Sequence, residues 1–168
     1  MSTKTSIVES LFAEVFQSER SAIKHPTVEA ERLGPCPPAD ALRAVAAHAS
    51  RVEPALMKLA EARGREPSKI GVAFGELFSL GRDGLADFAL SAEQSYRGTL
   101  LGMRHGYDAV RLFGLGAKAE GDLELAAFSD AWLTERGPLI AAAADALSWF
   151  TANPERALAN AKRGTRHA

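Results

Sequence analysis

The sequence predicts an all-α fold: an antiparallel four-helix bundle with a short helical crossover between its second and third helices. Apolar residues recur at three- and four-residue spacing through four long stretches. No segment alternates apolar and polar residues for long enough to make a good strand. Proline and glycine divide these stretches, and the connection between the second and third is the longest. One helical domain is expected over 1–152, followed by a frayed or disordered basic tail at 153–168.

The first stretch runs from Ser6 to Leu33, with Val8, Phe12, Val15, Phe16 and Ile23 on one side. Pro26 removes a backbone donor and crowds the preceding turn, so a kink or break is expected near Lys24. Gly34 should cap this helix, and Pro35, Pro37 and Pro38 prevent its continuation. The second stretch starts near Pro38, buries Leu42, Val45, Ala49, Val52, Leu56 and Leu59, bends at Pro54 and closes at Gly64. Pro67 to Leu80 reads as the amphipathic crossover, through Ile70, Val72, Phe74, Leu77 and Phe78, with a turn at Gly81 to Gly84.

The third stretch covers Asp83 to Ala119. Asp122 should be the N-cap of the fourth, which buries Leu125, Phe128, Trp132, Leu139, Ala143, Leu147 and Phe150. A kink is expected at Gly137-Pro138 and an end at Asn153-Pro154.

Bulk composition narrows the function classes. A net charge of −1 gives no electrostatic case for nucleic acid or an anionic membrane as partner. No apolar run approaches the ~18–20 residues that span a bilayer. Residues Met1 to Ser6 lack the hydrophobic stretch of a secretory signal, and the single cysteine, Cys36, precludes an internal disulfide framework. A cytoplasmic location is expected. Cys36 lies in Gly-Pro-Cys-Pro-Pro, which reads as an exposed loop. There is no phosphate-cradling loop, nucleophile elbow or zinc spacing, which argues against the familiar enzyme classes.

Gly98, Gly102 and Gly106 recur every four residues, with Gly114 eight further on. Each costs a helix about 1 kcal/mol relative to alanine, so something must offset it. Close approach of a neighbouring helix is one account, with Ala141–Ala144 as the facing surface. A homodimer seam, a flat cofactor against bare backbone, and a helix break at His105-Gly106 are the others.

Polar residues on apolar faces need a further reason. Glu19 falls amid Val8, Phe12, Val15 and Ile23; Glu93 falls among Ala89, Tyr96 and Leu100; His48 flanks the stripe of the second helix. A buried carboxylate must pair, bind a cation, protonate or reach solvent. Glu19, His48 and Glu93 are therefore candidate metal ligands, with iron or manganese as the metal. The other reading makes them hydrogen-bonded core fixtures, the carboxylates meeting His48 or inward-reaching Arg20 and Arg97. A dinuclear carboxylate bundle takes a Glu from each of two helices and a Glu-x-x-His from each of the other two. Here Val45 stands three residues before His48, and the fourth helix has no Glu-x-x-His.

Glu19 in the first helix, Ala46-Ala47-His48 in the second, Ala92-Glu93-Gln94-Ser95-Tyr96 in the third and the linker after Gly64 together resemble the ferritin-like superfamily. Within it they are most similar to the YciF-type stress-associated bundles, over roughly Ser6 to Phe150. The resemblance implies an antiparallel four-helix bundle, frequent dimerisation and, in complete members, a metal centre. The expected function is non-catalytic, through assembly as a homodimer or binding of a protein partner, with a link to stress and no cofactor. The alternative is an iron- or manganese-binding oxidoreductase or metal-handling protein with an abbreviated site.

Overall fold

Ser6 starts the first helix by accepting from the Glu9 amide at 3.1 Å, and its hydroxyl also donates to the Glu120 carboxylate at 2.7 Å. This one residue caps the first helix and ties it to the end of the third. The computed structural model describes residues 6–65 and 90–160, and these are helical apart from caps, turns and one isolated bridge. The helices among them are α1 (Ile7–Leu33), α2 (Pro37–Glu61), α3 (Ala92–Glu120), α4 (Leu123–Asp145), α5 (Leu147–Ala152) and α6 (Pro154–Leu158). None is long and apolar enough to cross a membrane. The crossover expected at Pro67 to Leu80 and the turn at Gly81 to Gly84 lie outside the described residues, as does the Asp83–Ala89 start of the third stretch.

The caps expected from the sequence at Gly34 and Asp122 are in place. Gly34 and Gly121 take the positive φ values, 70° and 79°, that their helix ends require. Asp122 accepts from the Leu125 amide at 3.0 Å and also receives Arg63 from the end of α2 at 2.9 Å. Ser91 and Gln94 form a reciprocal capping box that starts α3.

None of the internal prolines breaks its helix. α1, α2 and α4 run without interruption through Pro26, Pro54 and Pro138. Pro26 is buried with Ala22, Glu29 and Leu33, so packing on that face holds the helix together across the missing hydrogen bond. Pro54 and Pro138 project to solvent. α3 is likewise one helix across His105-Gly106. The fourth stretch instead divides at Ala146, giving α4 and the short α5.

α1 packs against α2 and α3, and α4 packs against α3 and α2. Two apolar clusters fill the space between them. One gathers Phe12, Phe16, Leu56, Val110, Phe113 and Leu125. The other gathers Leu33, Leu42, Val45, Tyr96, Leu100 and Phe150. Cys36 belongs to the second cluster and is buried at the start of α2, not exposed in a loop. The first part of the expected tail is also packed. Arg156 donates to the Leu33 carbonyl at 2.6 Å and lies over Trp149, Ala157 is buried, and the Ala92 amide donates to Ala159 at 2.9 Å. Arg156 thus satisfies a carbonyl at the end of α1, which fixes residues 153–160.

The glycines divide into two groups. A methyl at Gly114 would stand 2.6 Å from Cβ of buried Ser129 on α4, and at Gly106 it would stand 3.2 Å from Cβ of Ser18 on α1. Close approach therefore explains these two, but the facing surfaces are single serines and not Ala141–Ala144. Gly98 and Gly102 have nothing within 4 Å. Gly114→Ala should lower stability by about 1–3 kcal/mol, through overpacking against Ser129. Gly98→Ala should raise it by about 1 kcal/mol through helix propensity. Urea denaturation of the two variants checks the opposite signs.

Candidate functional site

A polar layer separates the two apolar clusters. It takes one side chain each from α1, α2 and α4: Glu19, His48 and Arg136, all 2% exposed or less. Arg136 donates from Nη2 to Glu19 Oε2 at 2.9 Å and from Nε to His48 Nδ1 at 2.8 Å. Its guanidinium carbon lies 4.6 Å from the centre of the Trp132 ring. The sequence reading missed Arg136, although the stripe Leu125, Ser129, Trp132, Arg136, Ile140, Ala143 has helical spacing and every member is buried. Glu29 was missed in the same way; it is buried on α1 and accepts from Ser95 at 2.6 Å.

Of the three sequence candidates, the structure brings together Glu19 and His48. Glu93 is in the first turn of α3, half-buried, held by Arg97 at 2.6 Å. At the level of the polar layer α3 presents Gly106 and Tyr107, 13 or more residues further on, which is about 20 Å along the axis. The apolar spacing placed Glu93 on the correct side of α3 but at its end, where the helix N-terminus favours an acid. Arg20 reaches Glu53 and not the core.

The electrostatics follow from this arrangement. Arginine has only donors, so His48 Nδ1 must be an acceptor and the proton of the neutral ring sits on Nε2. Burial pushes the His48 pKa down to about 4, and the nearby Arg136 and Arg51 charges reinforce this. Burial raises the Glu19 pKa against the opposing attraction of Arg136, and it lowers that of Arg136 against Glu19. Glu19 Oε2 and His48 Nδ1 already serve a guanidinium, and a divalent ion would have to sit beside that fixed charge. Among the described residues no group of three or more His, Cys, Asp or Glu side chains could hold a metal ion. The donor set at Glu19 and His48 does not fit iron or manganese.

His48 lines a cleft of about 220 Å³ between α2 and α4, and its buried Nε2 lies on the side of Glu135, 3.5 Å from Oε2. Val52, Phe128 and Trp132 are its apolar walls, and Arg51 and Glu135 stand at its mouth, joined by a short hydrogen bond.

A second feature is the outer face of α3. Leu101, Leu112 and Leu115 are 69%, 45% and 57% exposed. With Gly98, His105, Asp108 and Ala119 they form an exposed row at alternating three- and four-residue spacing. Arg97, Arg104, Arg111 and Lys118, seven apart, line one edge of that row. Glu93 and Asp130 pair with the outer two, at 2.6 and 2.9 Å. Arg104 and Arg111 make no ion pair with described residues.

No family model, curated protein or solved structure matches the chain.

Arg136→Met should cost about 3–5 kcal/mol, because it leaves the Glu19 carboxylate buried without a partner. The double variant Glu19→Leu with Arg136→Met should recover most of that in urea denaturation, since neither charge is then left alone. The pH dependence follows from His48, which titrates at 6.5 in the unfolded chain and about 4 in the fold. Between those values only the unfolded chain takes the proton, so stability should fall by about 2 kcal/mol from pH 7 to pH 5. Glu19, with its raised pKa, acts in the opposite direction and returns part of this loss. Stability curves at pH 7, 6 and 5 should therefore be flatter for His48→Gln and steeper for Glu19→Gln.

Proposed function

We propose that this chain is a non-catalytic four-helix bundle, ferritin-like in layout, that works by binding a protein partner along the outer face of α3. The observation that supports this is the row Leu101, Leu112 and Leu115, left exposed beside Arg104 and Arg111, which form no ion pair with the described residues. Large apolar side chains aligned on the solvent side of a helix are what a docking helix needs.

Charge selects the partner. A second copy docked antiparallel would set the Arg104 and Arg111 edge of each chain against that of the other. A parallel copy would stack Asp108 on Asp108. Both self-pairings oppose like charges, so an amphipathic helix with acidic residues flanking its apolar stripe is the better complement. The polar layer supports a non-catalytic role, since the carboxylate of Glu19 and Nδ1 of His48 are both engaged by Arg136.

Titration with two synthetic amphipathic helices of leucine seam, one flanked by Glu and one by Lys, tests this reading. The Glu peptide should bind with an affinity that weakens as salt rises, and the Lys peptide should not bind. Leu101→Gln with Leu115→Gln should reduce binding at least tenfold, because both side chains lose apolar contact without disturbing the core. A homodimer in light scattering that the same double substitution dissociates would overturn the choice of an unlike partner. Binding to anionic vesicles in place of the Glu peptide would overturn the protein-partner reading.

A further inference from the structure

We infer that the cleft between α2 and α4 binds a small aromatic monocarboxylate, whose carboxylate takes the place that Glu135 holds between Arg51 and His48. The starting observation is a buried donor with no acceptor. His48 is 2% exposed, and no protein group among the described residues closes a hydrogen bond to its Nε2. The nearest carboxylate oxygen, Glu135 Oε2, stands 3.5 Å away and is engaged by Arg51. That distance exceeds a normal N–H···O bond by about half an ångström. Leaving a buried donor unsatisfied is unfavourable, so an acceptor that reaches deeper than Glu135 gains what Glu135 cannot supply.

The cleft defines the rest of the ligand. About 220 Å³ lined by Trp132, Phe128 and Val52 suits a single flat ring, since cavities somewhat smaller than this hold benzene. The two donors at its mouth and floor, Arg51 and His48 Nε2, face the same oxygen of Glu135, so they already converge on a carboxylate position. Glu135 and Arg51 are 55% and 64% exposed, which lets the glutamate swing to solvent when the ligand arrives. A cationic ligand would meet Glu135 but would leave His48 Nε2 without an acceptor and would face Arg51. Because Nδ1 is fixed by Arg136, the imidazole cannot turn or change tautomer without breaking that bond, and Nε2–H stays turned toward the position that Glu135 Oε2 holds.

Benzoate is the probe, with benzamide and benzylamine as controls, titrated into the full chain and followed by the His48 ring and Trp132 indole resonances. Wild type should bind benzoate with a Kd on the order of 1 mM, with benzamide weaker and benzylamine absent. Glu135→Gln should bind benzoate at least fivefold tighter, because the competing internal carboxylate is gone. Arg51→Met should bind it at least tenfold weaker. Both substitutions are at exposed positions, so their spectra should otherwise match wild type. Unchanged resonances of His48 and Trp132 at about 50 mM benzoate, or a Glu135→Gln variant that binds no tighter, would overturn the proposal. Preference for benzylamine would overturn it as well.

Discussion

Arg136 carries a full positive charge into the middle of the core, and three helices are placed so that it is answered. Glu19 from α1 neutralises it, His48 from α2 accepts its second donor, and Trp132 from its own helix offers a ring face. A guanidinium presents its donors in a fixed plane, so the partners must stand at set positions around it. Sliding α1 or α4 by one turn, about 5 Å, would leave both charges buried and unpaired. Such a pair adds little net stability over a well-packed apolar alternative. Its effect is to penalise other registers.

The layer also explains why the core is built in two parts. Phe12, Leu56, Phe113 and Leu125 fill the space on one side, and Leu42, Tyr96, Leu100 and Phe150 fill it on the other. α3 contributes no charge at the dividing level. There it brings Gly106 against Ser18, and a turn or two further on Gly114 against Ser129. Small residues let it lie close to α1 and α4, and Tyr107 spans the layer by packing on both clusters. With its inner face committed to close packing, α3 turns Leu101, Leu112 and Leu115 outward.

His48 connects the interior to the surface. One ring nitrogen belongs to the buried network and the other lies on the side of Glu135, so the state of the network sets the chemistry that the cleft presents. Burial and two arginines keep the ring neutral well below its ordinary pKa, and the neutral ring can accept from Arg136 while donating outward. Protonation would remove the acceptor and place a second positive charge beside the guanidinium. The same contact therefore links pH-dependent stability to the donor on the side of Glu135.

Much of the local structure was legible in the residues themselves. Ser6, Gly34, Gly121 and Asp122 fix helix ends through short-range hydrogen bonds and φ preferences, and helical spacing found Phe12, Leu42, Trp132 and Ala143 as core. That spacing also flagged Glu19 and His48 as polar groups needing partners. It could not identify the partner, because Arg136 is 117 residues from Glu19 and 88 from His48. A helical wheel gives direction around an axis but no height relative to another helix, and so Glu93 was grouped with residues about 20 Å away. Sequence by itself determined which stretches are helical and which of their faces are apolar, since those depend on neighbours within a few residues. Only the tertiary structure decided that the cation in the core is an arginine, that residues 153–160 pack against the ends of α1 and α3, and that the leucines of α3 are left outside. Each of those depends on how far one helix is shifted along another.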